Sequence, residues 1–321
     1  MRNKNNRPIY FEEYKKINGI EQYLFHAGTS YENPVILFLH AFASAESLMT
    51  NIFQKNWEEI FTVVHLDQRG AGKTFTKNPT AAPTMELQLE DIHETVLYLK
   101  ERYQKEKIIL LGHSWGSILG SIYAKRHPEN VAYYVGTGQV ISVLKGERAG
   151  YEKAMEMAIQ RKDTKSQKKL ESIARYPYGK SEDFIKECTL LRTIQQKYHL
   201  APSKLSYIPL LKAMVTSPIF RFSDIHAFIG AEEINSSLND EMMDFDLDNK
   251  SYEYEVPIYY ILGADDWQVP YTLAKDYFQK IEAPRKKLYM LKGAGHFTMD
   301  DKPKEFFEAL ADINAIEEKK N

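Results

Sequence analysis

A single cysteine, Cys188, among 321 residues excludes an intramolecular disulfide. That usage is compatible with a reducing compartment. The thiol lies in EDFIKECTLLRTI, where no local pattern activates it, and it reads as a packed helical residue. Excess charge is also missing: Lys+Arg 42 against Asp+Glu 44 leaves a formal charge of -2. No basic surplus points to nucleic acid, and no acidic run points to a solvated tail. The locally basic stretch 162–169 reads as a solvated helix face. Long apolar runs are absent too. No stretch approaches the roughly 20 apolar residues that cross a bilayer, and the N-terminal MRNKNNRPIYFEEY has no apolar h-region. A cytoplasmic protein without a membrane partner is expected. Internal repeats and low-complexity tracts are likewise missing. The 43% hydrophobic content supports one large core, or a domain plus an insertion.

Strand and helix signals alternate over most of the chain. Residues 10–28 read as a hairpin about Asn18-Gly19. Short apolar runs at 34–40, 61–67, 107–111, 131–136, 257–263 and 286–291 read as buried strands. Helical patterns fall at 44–60, with Ser44 as N-cap, and at 85–104, 115–127, 271–282 and 303–318. In 85–104 the apolar side is marked by Met85, Leu87, Leu89, Ile92, Val96, Leu97 and Leu99. This alternation predicts an α/β fold, a mostly parallel sheet flanked by helices. From 140 to 254 the rhythm breaks. Helical patterns at 150–173, 182–197 and 204–215 are separated by prolines, with no convincing strand. The expected organisation is a core of 1–139 and 255–321 with a helical cap, 140–254, over the C-terminal edge of the sheet.

The segment KIILLGHSWGSILG, 107–120, carries the strongest chemical signal. An apolar strand stops at Gly112, Ser114 stands at the apex of a tight turn, and a helix follows from Trp115. The two glycines permit a strained turn and a close strand–helix approach, which pushes the serine out toward a substrate. A serine hydroxyl is a weak nucleophile near neutral pH and needs a base that is itself oriented by a third group. In such folds the acid comes next in the chain and the histidine last. Strand 257–262 ends in Gly263-Ala264-Asp265-Asp266-Trp267-Gln268-Val269-Pro270, and strand 286–291 ends in Lys292-Gly293-Ala294-Gly295-His296. Both candidates therefore sit just past strands, on the edge where open α/β proteins place their sites. His296 is read as general base and then acid. The orienting acid is Asp265 or Asp266, and the spacing before Val-Pro favours Asp266. The oxyanion donors are read as the Trp115 N–H, opening the helix, and the Phe42 N–H, in the loop after strand 34–40. His40, His65, His93, His127 and the remaining histidines read as structural or surface residues. The chemistry requires no metal or organic cofactor.

Three segments, DQRGAG at 67–72, GHSWGS at 112–117 and GADDWQVP at 263–270, give the whole chain a resemblance to the α/β-hydrolase superfamily. Within it the chain resembles proline iminopeptidases of the S33 peptidase family. That resemblance implies an α/β-hydrolase fold with a cap and an aminopeptidase acting on short peptides. Two departures stand out. The family's usual His-Gly-Gly-Pro-Gly loop is His40-Ala41-Phe42-Ala43-Ser44 here. The family's cap glutamate flanked by tryptophans has no match either, since Trp57, Trp115 and Trp267 all lie outside 140–254. A free α-amino group would favour a cap carboxylate; Glu147, Glu232 and Glu233 are the substrate-binding candidates, with Glu152 and Glu156 also in the cap. Tyr133, Tyr134 and the cap tyrosines are candidates for an apolar pocket lining. The competing readings are a carboxylesterase or related small-molecule hydrolase, and a non-catalytic ligand-binding protein on the same scaffold. Epoxide and haloalkane hydrolases are disfavoured, since they carry aspartate where Ser114 stands.

Overall fold

The computed structural model describes residues 8–177, 183–200, 212–225 and 233–319. Asn18 and Gly19 both take positive φ, 42° and 85°, as a two-residue hairpin turn requires. They join β1 (Ile9–Ile17) to β2 (Ile20–Gly28). Six further strands follow: β3 (Val35–Leu39), β4 (Thr62–Leu66), β5 (Ile108–His113), β6 (Val131–Thr137), β7 (Ile258–Gly263) and β8 (Lys286–Leu291). Together they form one sheet in the order β1-β2-β4-β3-β5-β6-β7-β8. Strand β2 runs antiparallel to both β1 and β4, and every other neighbouring pair is parallel.

Alternation along the central strands feeds two cores. Leu37, Leu39, Leu110, Tyr134 and Tyr260 pack under helices Met85–Tyr103, Trp115–Arg126 and Tyr271–Lys280. Ile36, Phe38, Ile109, Leu111, Val135 and Ile261 pack against Phe53, Trp57 and helix Pro303–Glu318 on the other face. Strands covered on both faces need apolar residues at nearly every position, which is why they read as continuous runs. Helix Met85–Tyr103 starts where the Thr84 hydroxyl accepts the Leu87 N–H at 3.1 Å. Its inward face carries Leu89, Ile92, Val96 and Leu99, whereas Leu97 is exposed.

Two helical expectations need correction. Segment 44–60 is not one helix but short turns, Glu46–Met49, Thr50–Phe53 and Trp57–Glu59, and Ser44 caps none of them. Its polar side chains turn inward: Ser47 donates to Asp67 at 2.7 Å, and Gln54 meets His65. Those buried contacts override the apolar spacing. The expected helix 150–173 begins earlier, at Val143, and breaks after Gln160. Lys162 adopts φ 54°, and the Asp163 carboxylate caps a new helix, Thr164–Glu171, by accepting the Ser166 N–H at 3.2 Å. Most of the expected helix 204–215 lies outside the described residues.

Between β6 and β7 the described residues form helices, turns and two isolated bridges, Ser142 with Asp246 and Glu253 with Glu282, and Phe184–Lys197 and Ser236–Met243 are further helices there. Several bonds tie them to the sheet-bearing part. The buried pair Lys73–Asp224 spans 2.9 Å, Asn235 Nδ2 donates to the Gly70 carbonyl at 2.8 Å, and the Trp267 N–H donates to the Leu200 carbonyl at 2.7 Å. No helix among the described residues is long and apolar enough to cross a membrane.

Candidate active site

The turn after β5 shows why two glycines flank Ser114. A Cβ on Gly112 would lie 2.4 Å from the Gly116 carbonyl oxygen, and one on Gly116 would lie 1.9 Å from that of Leu39. Side chains cannot enter such gaps, because the opposing atoms are backbone. Ser114 itself sits at φ 52°, ψ -115°, a strained conformation for a residue with a Cβ. The surrounding sheet holds it there: its N–H donates to the Thr137 carbonyl at 3.1 Å, and the Gly116 N–H donates to the His40 carbonyl at 3.1 Å.

The loops after β7 and β8 bring the other two groups to this turn. His296 Nε2 lies 3.0 Å from Ser114 Oγ, and its Nδ1 lies 2.9 Å from Asp266 Oδ2. With Nδ1 protonated toward the carboxylate, Nε2 accepts the serine proton. The other Asp266 oxygen accepts the N–H groups of Gln268 and Val269 at 3.0 and 2.9 Å. His296 and Asp266 are buried, 1% and 2% exposed, whereas Asp265 is exposed. Asp266 is thus the carboxylate that reaches the imidazole.

The loop 40–44 turns back on itself. The Ser44 N–H donates to the Ala41 carbonyl at 3.1 Å, and Ala43 takes φ 49°. His40 is buried and structural: its Nε2 accepts the Gln68 N–H at 2.9 Å. Among the described residues no hydrogen bond uses the Phe42 N–H, and Trp115 opens its helix, where N–H groups have no partner one turn back. Both residues line the same cavity as Ser114, their rings edge to face at 5.8 Å.

That cavity measures about 220 Å³. Its walls are mainly apolar, with Ile118, Val140, Val143 and Val269 among them, and Glu147, Cys188 and Arg192, from the helices between β6 and β7, close one side. Of the proposed carboxylates that are described, Glu147 lines it and Glu233 does not. One Glu147 oxygen takes the Arg192 guanidinium and the other accepts the Tyr176 hydroxyl at 2.7 Å. Glu233 is exposed, and Glu232 lies outside the described residues. Glu152 and Glu156 pair with Arg148 and Lys153 at the surface. Tyr133 and Tyr134 do not line the cavity: they are buried on opposite faces of β6, each with its phenol pKa pushed well up by burial. Burial also raises the Cys188 thiol, which suits a packed residue.

Three participants were not legible in the sequence. Arg192 and Tyr176 meet Glu147 only because helices Val143–Gln160 and Phe184–Lys197 pack together with the segment that follows Glu171. His113, read as packing, instead pairs with the buried Glu46 at 2.8 Å. Its place inside the serine motif was the one available hint. Among the described residues no group of three or more His, Cys, Asp and Glu could hold a metal ion.

Comparisons with known proteins agree with this architecture. The chain is 27% identical over 304 residues to a probable aminopeptidase, YbaC, of Bacillus subtilis, covering 92% of this chain and 93% of that one. A proline iminopeptidase-related protein from Thermus thermophilus shares the fold with a TM-score of 0.65 at 19% identity, covering 96% of this chain and 98% of that one. An esterase from Exiguobacterium antarcticum does so with a TM-score of 0.60 at 18% identity, over 94% and 97% of the two chains. The family model for the alpha/beta hydrolase fold matches residues 34–303, and the chain belongs to that family.

Proposed function

We propose that this chain is a serine hydrolase cleaving a small amide or ester through an acyl-enzyme, with the N-terminal residue of a short peptide as the leading substrate class. One observation carries the reading: Ser114, His296 and Asp266 form an unbroken hydrogen-bonded line that ends at an apolar cavity. In this mechanism Ser114 Oγ attacks the substrate carbonyl while His296 Nε2 takes its proton, and Asp266 stabilises the resulting imidazolium. The Phe42 and Trp115 N–H groups donate to the oxyanion; each such donor is worth about 10²–10³ in turnover. The imidazolium then gives its proton to the departing amine or alcohol. Water, deprotonated by the same ring, attacks the acyl-enzyme and releases the acid and the free serine.

The aminopeptidase reading is supported by the relative of that name, which matches nearly the whole chain, and by a carboxylate, Glu147, in the cavity wall. A second reading, a carboxylesterase, is favoured by Arg192. It already holds Glu147, so a substrate amine would have to share a neutralised carboxylate. The test is turnover of aminoacyl-naphthylamides and p-nitrophenyl esters by wild type and Ser114→Ala. The alanine change is expected to lower kcat by about 10⁴-fold or more; full activity without the hydroxyl overturns the nucleophile. Ester turnover with no aminopeptidase activity selects the second reading. No fluorophosphonate adduct on Ser114 would instead favour a non-catalytic ligand-binding protein.

A further inference from the structure

A second histidine–carboxylate pair lies directly behind the first. His113 and Glu46 are both fully buried, and Glu46 Oε1 is 2.8 Å from His113 Nδ1. The other ring nitrogen, Nε2, is 3.1 Å from the main-chain oxygen of His296. With Glu46 ionised, both His113 nitrogens face acceptors, so both donate and the ring is an imidazolium. Glu46 Oε1 also accepts the Ala41 N–H at 3.3 Å, one residue before the proposed oxyanion donor Phe42. One ion pair therefore touches three parts of the site. Its ring belongs to the serine turn, its carboxylate holds the oxyanion loop, and its Nε2–H holds the backbone of the general base.

The electrostatics agree. Burial alone would lower the His113 pKa, but the Glu46 carboxylate and the bond to the His296 carbonyl reverse this and raise it. Burial alone would raise Glu46, but His113, His40 and the Ala41 N–H hold it below the usual carboxylate range. Asp300 also faces both members of the pair, and His65 faces Glu46. There is little slack in the packing. The two imidazoles lie 5.0 Å apart, and a Cβ on Gly138 would come within 2.9 Å of His296 and 3.3 Å of His113.

We propose that Glu46 and His113 are positioning residues for the hydrolysis, a buried latch that sets the oxyanion loop and the His296 loop in register with Ser114. The proposal rests on the reading of Ser114 as nucleophile. A buried ion pair is weak ground for stability, since well-packed apolar groups would do as well; its value here lies in orientation. Displacing a reacting group by about 1 Å can cost about 10²-fold in rate.

Glu46→Gln and His113→Asn are expected to lower kcat on p-nitrophenyl acetate by about 10–100-fold with KM within about threefold, and to slow fluorophosphonate labelling of Ser114 by the same factor. A purely structural role would lower the melting temperature and leave the folded fraction at wild-type kcat. If either single variant fails to fold because it strands a charge, the double variant Glu46→Gln/His113→Gln carries none and provides the same readings. Folded variants turning over within about twofold of wild type overturn the latch. An activity-free arm is ¹⁵N NMR of the wild-type imidazoles. Both His113 nitrogens are expected to carry protons at pH 7, and a neutral His113 ring overturns the proposal. Should the wild type hydrolyse neither ester nor amide and resist fluorophosphonate, the proposed function falls, and the NMR arm alone decides whether the latch exists.

Discussion

A Cβ added to Gly116 would come to rest 1.9 Å from the backbone oxygen of Leu39, whereas one added to Gly146 would meet only the Pro270 ring, at 3.6 Å. Gly116 lies in the turn that presents Ser114 to the cavity, and Gly146 lines it. The first belongs to a turn clamped between β3 and its own helix; the second belongs to helix Val143–Gln160, which lines the cavity together with Ser114. Backbone meets backbone at Gly116, whereas at Gly146 only a side-chain ring lies within contact distance. The serine side has one workable geometry. The cap side can be rebuilt by exchanging side chains, which is where substrate preference can change without loss of the fold.

The sharpest way to break this contrast is Gly116→Ala. No side-chain rotation relieves that clash, so the cost is expected to exceed the usual range of about 1–3 kcal/mol for overpacking. Urea unfolding and fluorophosphonate labelling check it, and a stable, labelled variant would show that the turn is softer than its distances imply. Next comes Asp300→Asn, which probes the charge stored on the tight side. Burial, followed by the Glu46 charge, pushes the Asp300 carboxyl up to about 7, and its Oδ1 has no partner. The folded state therefore keeps a proton that the unfolded chain releases above about pH 4, and stability falls as pH rises from about 4 to 7. Replacing the acid removes that slope. The ceiling is about 4 kcal/mol, and about 2 kcal/mol is expected at pH 8 once the buried amide's own desolvation is counted. Little change is expected at pH 4. Equal melting temperatures for the two proteins at pH 8 would contradict this.

On the cap side, Arg192→Gln frees Glu147 from its partner. The ratio of kcat/KM for an aminoacyl-naphthylamide over a p-nitrophenyl ester should rise by about tenfold, or roughly 1.4 kcal/mol. An unchanged ratio would mean that the amine does not sit at Glu147. The smallest effect is expected from Gly146→Ala. This helix position has room for a methyl group, so stability should rise by about 0.5–1 kcal/mol while turnover stays within about twofold. A drop as large as that of Gly116→Ala would erase the distinction between the two walls.

What could be read beforehand follows the same division. Gly112, Ser114 and Gly116 form a local signal, because the three residues lie within five positions, although the backbone that crowds Gly116 belongs to Leu39. The hairpin at Asn18-Gly19 and the strands β3, β5 and β7 were legible for a similar reason: buried parallel strands leave unbroken apolar runs. Asp266 and His296 could be picked out because each follows a strand directly, and topology then sends both to one edge. Glu46 was hidden. Its partner His113 is 67 residues away, and the segment around it read as an ordinary helix. Arg192 meets Glu147 across 45 residues of cap, where helical periodicity says which face is apolar but not which neighbour it meets.

The succession of strands and helices along the chain, the strained serine turn and the chain order of Ser114, Asp266 and His296 were set by the linear pattern, since backbone sterics and hydrophobic alternation act over a few residues. Tertiary packing alone decided that Glu147 is matched by an arginine and that a second buried histidine holds the first, and it bears out the preference for Asp266 over Asp265 that the spacing before Val-Pro had given. Each of those outcomes depends on how rigid elements far apart in the chain come to rest against one another, and no short stretch of residues encodes that distance.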